Sequence, residues 1–266
     1  MGLMNGPRLA AIGGGGWLGG ALLRAALSAG AIDAAGTTIT SREGAVAGFE
    51  AFPGIRVTAD NAAAAASADV ILMAVRPQDL GAVPLDLSGK LLLSVMAMVP
   101  MAALEQRFGA QRIIRSMPNA AAERGLSFTP LLASASVTDE DRRLAEAFFG
   151  ASGHAEWVTT EDQLDYLTGL TGAGPAFLAK LAAAMEADAI GRGLPEDMAR
   201  RAVMQLLKGA AGDLARDRSP SEIVEIFLDY RGTTAAGLVA MEETGLARMV
   251  RAMLQAAEDR ARAPAS

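Results

Sequence analysis

Four consecutive glycines, Gly13 to Gly16, run into Trp17-Leu18-Gly19, so that Gly14, Gly16 and Gly19 fit the pattern G-x-G-x-x-G. Such a run suits a phosphate group. The first glycine permits a tight turn, the second lets backbone approach a pyrophosphate, and the third lets a helix pack closely on a strand. The helix that follows points its partly positive N-terminus at the anion. A glycine-rich turn without a ligand is the competing reading, since four glycines match several registers. Ser41-Arg42 is the second candidate. Where NAD-preferring sites end their second strand with Asp or Glu, this pair presents a hydroxyl and a guanidinium. Both suit the 2′-phosphate of NADP(H), which Arg grips with charge-assisted hydrogen bonds. A solvated surface arginine is the alternative.

Composition removes most other chemistries. Among 266 residues there is no cysteine, which excludes disulfides, thiolate nucleophiles and Cys-ligated zinc or iron–sulfur clusters. A single histidine, His154, gives no multi-histidine metal site, and no metal is expected. Twenty-four Lys and Arg against 30 Asp and Glu leave a net charge of -6, unsuited to nucleic acid or an anionic membrane. Hydrophobic residues reach 51%, yet charges interrupt every apolar run short of the roughly 18 to 20 residues a spanning helix needs. Met1 to Arg8 lacks the basic patch and apolar core of a signal peptide, and a cytoplasmic location is expected. The demanding chemistry then falls to a cofactor.

The elements that must position these residues alternate through the first half. Leu9–Ile12, Thr37–Thr40, Val70–Val75, Leu91–Val95 and Arg112–Arg115 read as strands, with a helix from Trp17 to Ser28 after the first. That order predicts an α/β fold, a doubly wound parallel sheet of Rossmann type covered by helices. Ala155–Val158 reads as a last strand, and Thr160 to Gln163 as a capping box that opens a helix. From there helices follow, one opening at Pro175, one near Pro195, one at Ser219-Pro220-Ser221-Glu222 and two flanking Gly245. The division is placed near 158, with a cofactor-binding domain at 1–158 and a helical domain at 159–266. The segment Ala176 to Ile190 is apolar nearly all round, which predicts burial against a second copy; a monomeric bundle is the alternative.

Further motifs resemble the pyrroline-5-carboxylate reductase family over nearly the whole chain. Ala68 to Gln78 (ADVILMAVRPQ) is similar to the family's ADVIxLAVKPQ strand, with Arg76 in place of Lys. Arg115-Ser116-Met117-Pro118-Asn119 resembles RVMPN, Gly172 to Phe177 resembles GSGPAY, and Gly232-Thr233-Thr234 the end of SPGGTT. The resemblance implies a Rossmann domain with an all-helical dimerisation domain and NADPH-dependent reduction of a cyclic imino acid. By default that is 1-pyrroline-5-carboxylate going to L-proline, in a homodimer or a higher oligomer of it. It implies cofactor contacts at Gly14, Gly16, Trp17, Leu18, Ser41, Arg42, Asn61, Ala74, Arg76, Pro77 and Ala97. It implies substrate contacts at Asn119, Thr171, Gly172, Gly232, Thr233 and Thr234. An iminium already carries positive charge at the carbon that accepts hydride, so no strong general base is needed.

Several residues depart from the family pattern. Asp229-Tyr230-Arg231 stands where the family has Ser-Pro-Gly. Losing that glycine predicts another path for the loop. Arg231 then either binds a substrate carboxylate or pairs with Asp229. Met96-Ala97-Met98 replaces a small turn of AAG type, and Thr171 and Ala173 replace two serines. Thr233-Thr234 reads as part of an anion nest or as a helix cap. Lys180, on an otherwise apolar helix, is with Thr171 a candidate catalytic residue: desolvated, it would donate a proton, while snorkelling to the surface is the plainer reading. A reductase of another cyclic imine or keto substrate, a β-hydroxyacid-type dehydrogenase using Lys180, and a non-catalytic NADP-binding regulator stay open.

Overall fold

The computed structural model describes residues 6–214 and 218–263; of the N-terminal segment read above, residues 1–5 lie outside them. Eight strands form one sheet: β1 (Leu9–Ile12), β2 (Thr37–Thr40), β3 (Arg56–Thr58), β4 (Val70–Met73), β5 (Leu91–Ser94), β6 (Arg112–Ser116), β7 (Ser127–Ala133) and β8 (Gly153–Trp157). Their order is β3-β2-β1-β4-β5-β6-β7-β8. All neighbours are parallel except β6 and β7, which pair antiparallel from Ile114 opposite Ala133 to Ser116 opposite Leu131.

Alternation along the central strands explains the two coats of helix. Leu9, Ala11, Val70, Leu72, Leu91 and Leu93 face α1 (Trp17–Ser28) and α4 (Asp139–Gly150), which contribute Leu22, Leu23, Phe148 and Phe149. Ala10, Ile12, Ile71, Met73 and Leu92 face the other way, onto Ala64 and Ala65 of α2 (Asn61–Ala66) and Leu104 and Phe108 of α3 (Met101–Phe108). The chain reverses its direction of travel through the sheet between β1 and β4, the switch point where such folds bind ligands beyond the carboxyl ends of their strands.

Three expectations need correction. The third expected strand, Val70–Val75, ends at Met73, because Arg76-Pro77 turns the chain into a 3-10 segment, Pro77–Ala82. Strands β3 and β7 were not anticipated. Strand β7 contains Pro130, whose missing N–H falls where the β6 ladder ends, and whose carbonyl accepts from the Met117 N–H at 3.2 Å. At Thr160 the hydroxyl does accept from the Gln163 N–H, opening α5 (Glu161–Leu167), but the Gln163 side chain reaches back to Thr159 rather than Thr160. The reciprocal half of a capping box is therefore absent there.

By compactness the chain divides into one unit reaching Ala173 and including the chain from Ala256 onward, and a second from Gly174 to Gln255. The second is helical: α6 (Gly174–Gly191), α7 (Glu196–Leu214), α8 (Pro220–Asp229), α9 (Thr233–Glu243) and most of α10 (Leu246–Arg262). Ser219 closes a full capping box with Glu222 at the start of α8. Within this unit Ala182, Ala199, Val203 and Ala235 are buried, while Leu178, Leu181, Met198, Leu206 and Phe227 are exposed. No helix among the described residues is long and apolar enough to cross a membrane.

Candidate active site

The glycine loop between β1 and α1 is held from below. Gly13 takes φ +73, and a Cβ there would lie 2.8 Å from the Val75 side chain. The left-handed turn thus falls at Gly13, one residue ahead of the G-x-G-x-x-G register. Its N–H donates to the Thr40 hydroxyl at 3.0 Å, so the buried end of β2 fixes the start of the loop. Gly19 does what its motif position implies: a Cβ there would meet Ala74 and Gly14 at 3.1 Å, and α1 rides tightly over the sheet edge.

Helix α1 begins without a side-chain cap and without an acidic residue in its first turn. The N–H groups of Trp17, Leu18 and Gly19 find no acceptor among the described residues. Unpaired donors at a helix N-terminus behind a glycine turn are the donor set that a pyrophosphate requires. Trp17 is 58% exposed, and its indole N–H donates to the Glu123 carboxylate at 3.2 Å, tying the loop to the segment after β6.

Beside this loop Ser41 and Arg42 follow β2 directly, and the Cβ of Ser41 would touch a side chain placed at Gly15 at 3.4 Å. Arg76, after β4, bonds Asp79 through Nε at 2.8 Å. That hydrogen bond holds the Asp79 carboxyl below its ordinary range, and the charge of Arg42 adds to the effect. Two guanidinium groups around one carboxylate leave a net positive corner next to the glycine loop. A corner of that charge suits a 2′-phosphate. Asn61 opens α2, capped by Asp60, and is half-buried. Ala74 and Pro77 flank Arg76 at the end of β4, and Ala97 lies in the turn after β5.

Met98 sits at φ +63, the left-handed region that glycine occupies most easily. Arg231 also lies in the left-handed region, at φ +51, where a side chain carries a steric cost.

Asn119 is buried after β6. Its Oδ1 accepts from the Ala121 N–H at 2.9 Å, while its Nδ2 has no partner among the described residues and is available as a donor. Thr171 lies in a π-helical turn, Thr168–Gly172, a form that recurs at functional sites. Its hydroxyl donates to the Leu167 carbonyl at 2.9 Å, so what it offers a ligand is an acceptor lone pair. In the second unit Gly232 is the N-cap of α9, with Thr233 and Thr234 in its first turn; no side chain caps it, which leaves that helix end as a backbone donor group. Among the described residues Arg231 and Asp229 form no ion pair, and both are exposed. Lys180 is exposed on α6, so the desolvation that proton donation asks of it is not supplied within one chain. No cluster of acidic or imidazole groups among the described residues could hold a metal ion. An open cavity of about 490 Å³ bounded by Trp157, Tyr166 and Glu258 includes none of the expected site residues.

One buried cluster was missed by the sequence reading. Arg115 on β6 meets Glu161 at 2.6 Å and Asp165 at 3.9 Å. Burial pushes the Asp165 carboxyl above its ordinary value, opposed in part by the charge of Arg115. The only sequence signal is an arginine that directly follows Ile113 and Ile114 in a strand.

Comparison with known proteins finds matches in both halves of the chain. A family model described as pyrroline-5-carboxylate reductase dimerisation matches residues 161–263, and one described as NADP oxidoreductase, coenzyme F420-dependent, matches residues 8–98. A pyrroline-5-carboxylate reductase of Methanosarcina acetivorans is 34% identical over 213 residues, covering 77% of this chain and 78% of that one. The structure of a pyrroline-5-carboxylate reductase from Coxiella burnetii aligns with a TM-score of 0.81 at 27% identity, over 96% of this chain and 97% of that one. The pyrroline carboxylate reductase of Plasmodium falciparum, solved with NADP bound, shares the fold with a TM-score of 0.82 at 22% identity, over 97% and 98% of the two chains.

Proposed function

This chain belongs to the pyrroline-5-carboxylate reductase family, and from that premise we propose that it reduces 1-pyrroline-5-carboxylate to L-proline with NADPH. The observation that carries the cofactor half is the uncapped N-terminus of α1 beside the corner formed by Arg42, Arg76 and Asp79. When bound, NADPH supplies the hydride. The free backbone donors of Trp17 and Leu18, behind the turn that Gly13, Gly14 and Gly16 make, hold the pyrophosphate. Ser41 and Arg42 select the 2′-phosphate. Asn61, Ala74, Arg76, Pro77 and Ala97 line the rest of the cofactor path.

The substrate arrives as a cyclic iminium with one carboxylate. In the second unit the donors at the start of α9, with Gly232, Thr233 and Thr234, suit that carboxylate; in the first unit the free Nδ2 of Asn119 is a donor suited to the substrate. Thr171, with its own proton committed to Leu167, accepts from the iminium N–H and orients the ring, while Gly172 keeps space beside it. Groups of these kinds bind and orient such a substrate without a strong base, which agrees with a chain having no cysteine and one histidine. Lys180 enters as a proton donor only if a second copy covers α6. The match to a dimerisation domain supports such a copy, and assembly beyond a dimer is compatible with it.

A second reading rests on Arg231. An exposed guanidinium at the mouth of the α9 N-terminus favours a cyclic imino acid bearing a second acid group. The deciding experiment follows NADPH consumption with pyrroline-5-carboxylate, its six-membered homologue and a panel of imino and keto acids. Turnover of pyrroline-5-carboxylate in preference to the others is expected. Turnover of a diacid alone would move the assignment to the second reading, and NADPH binding without any turnover would leave a regulator.

A further inference from the structure

Arg115 is the most deeply buried charge in the first unit, its side chain 3% exposed, and nothing in the proposed chemistry uses it. It reaches from β6 to two carboxylates on α5. One nitrogen lies 2.6 Å from Glu161 and the other 3.9 Å from Asp165, residues spaced i, i+4 and so on one face of the helix. The same Glu161 oxygen accepts from the Met101 N–H at 2.7 Å, at the end of the turn that begins with Met96-Ala97-Met98. Helix α5 then continues without a break into the π-turn. The Thr168 hydroxyl bonds Leu164, the Thr171 hydroxyl bonds Leu167, and the Ala173 N–H bonds Thr168.

As a source of stability this cluster is poor. Buried ion pairs roughly cancel against desolvation, the buried Arg115 Nε has no hydrogen-bond partner, and Asp165 is held in a setting that disfavours its charge. What the cluster does provide is geometry, since three segments expected at the site meet at one guanidinium–carboxylate pair: the strand leading to Asn119 carries Arg115, the helix leading to Thr171 and Gly172 carries Glu161, and the turn of Ala97 ends on the Glu161 carboxylate.

We propose that Arg115 is a positioning residue: clamped between Glu161 and Asp165, it fixes the Thr168–Gly172 turn to the end of β6 through α5 and, through the Glu161 carboxylate, the Met96–Met101 turn as well. The inference deepens the proposed function and rests on it for its kinetic arm alone. Glu161 is 40% exposed, so Glu161→Gln leaves a folded protein even where Arg115→Met does not. Glu161→Gln is expected to lower kcat about tenfold and raise KM for the imine about threefold, with the Kd for NADPH, read by energy transfer from tryptophan, raised only about twofold through the turn of Ala97. Amide exchange from residue 168 to 173 in the folded protein is expected to speed up about tenfold. Arg115→Lys is expected to recover part of what Arg115→Met loses. Unchanged kcat, KM and exchange in folded Glu161→Gln would overturn the proposal, as would losses that only track the folded fraction. If the parent protein turns over no pyrroline-5-carboxylate, the functional reading fails by itself. The exchange measurement still decides the role of Arg115.

Discussion

Thr40 bears on the cofactor loop through a single hydroxyl, the acceptor for the Gly13 N–H. Thr40→Val keeps the shape and strands that donor, at a cost of about 1 to 3 kcal/mol for an unsatisfied group. The Kd for NADPH is expected to rise about tenfold in a fluorescence titration, with substrate KM little changed. Arg42 acts by charge. Arg42→Ala should weaken NADPH by about 10- to 100-fold, the worth of a charge-assisted hydrogen bond, and leave NADH unaffected. Equal loss for both cofactors would remove Arg42 from the 2′-phosphate site. At Asp165 the sign of the pH dependence is fixed by burial. A carboxyl raised in the folded state binds its proton more tightly there than in the unfolded chain, so stability is fully present below the ordinary carboxylate value and is lost as pH rises through the raised one. Asp165→Asn should therefore flatten the stability profile just above that ordinary value, and should not lower the melting temperature at neutral pH. A lower melting temperature there would mean the pairing with Arg115 outweighs the desolvation.

Among the elements, β8 shows how a tight backbone approach is enforced. Gly153 takes φ +147, and a Cβ there would lie 2.1 Å from the Ser127 carbonyl oxygen on β7. Gly153→Ala must push the two strands apart, and a loss of about 3 kcal/mol is expected, read as a melting temperature lower by roughly 5 to 10 °C. No change on melting would show that β8 is not held by that approach. The neighbouring strand explains a gap in the sequence reading. Strand β7 carries Pro130 and is half polar at its start, so it lacks the β-branched run that marks β2 or β6. It exists because β6 supplies an antiparallel partner and Val158 and Trp157 close the other side, information that no local window holds. Gln163 tells the same story in miniature. Its spacing from Thr160 is right for a capping box, yet the Thr159 N–H and hydroxyl take its side chain instead.

For the whole molecule, the second unit cannot bury its own apolar residues. Leu178, Leu181 and Met185 on α6, and Met198, Met204 and Leu206 on α7, are all more than a third exposed in one chain. Surface of that kind asks for a second copy, and the match of residues 161–263 to a dimerisation domain agrees with it. Sedimentation equilibrium is expected to give at least twice the 27.3 kDa of the chain. Leu181→Glu combined with Leu206→Glu should yield monomers with a normal first unit and reduced turnover. A double variant that stays dimeric would place the interface elsewhere.

The sequence by itself determined the doubly wound half, because Leu9–Ile12, Val70–Met73 and Leu91–Ser94 each carry a short apolar run at the length of a buried strand, and glycine spacing marks where phosphate meets helix. It also determined the order of the C-terminal helices, since proline, serine and glycine punctuate them locally. Only the tertiary structure decided that the left-handed turn sits at Gly13 and leans on Thr40, that Met98 and Arg231 hold glycine-like backbone, and that Arg115 gathers two carboxylates from 46 and 50 residues further along the chain. The physical reason is range. Strand and cap signals are written within a few residues, whereas a buried charge or a strained φ depends on partners that meet only after the sheet has closed.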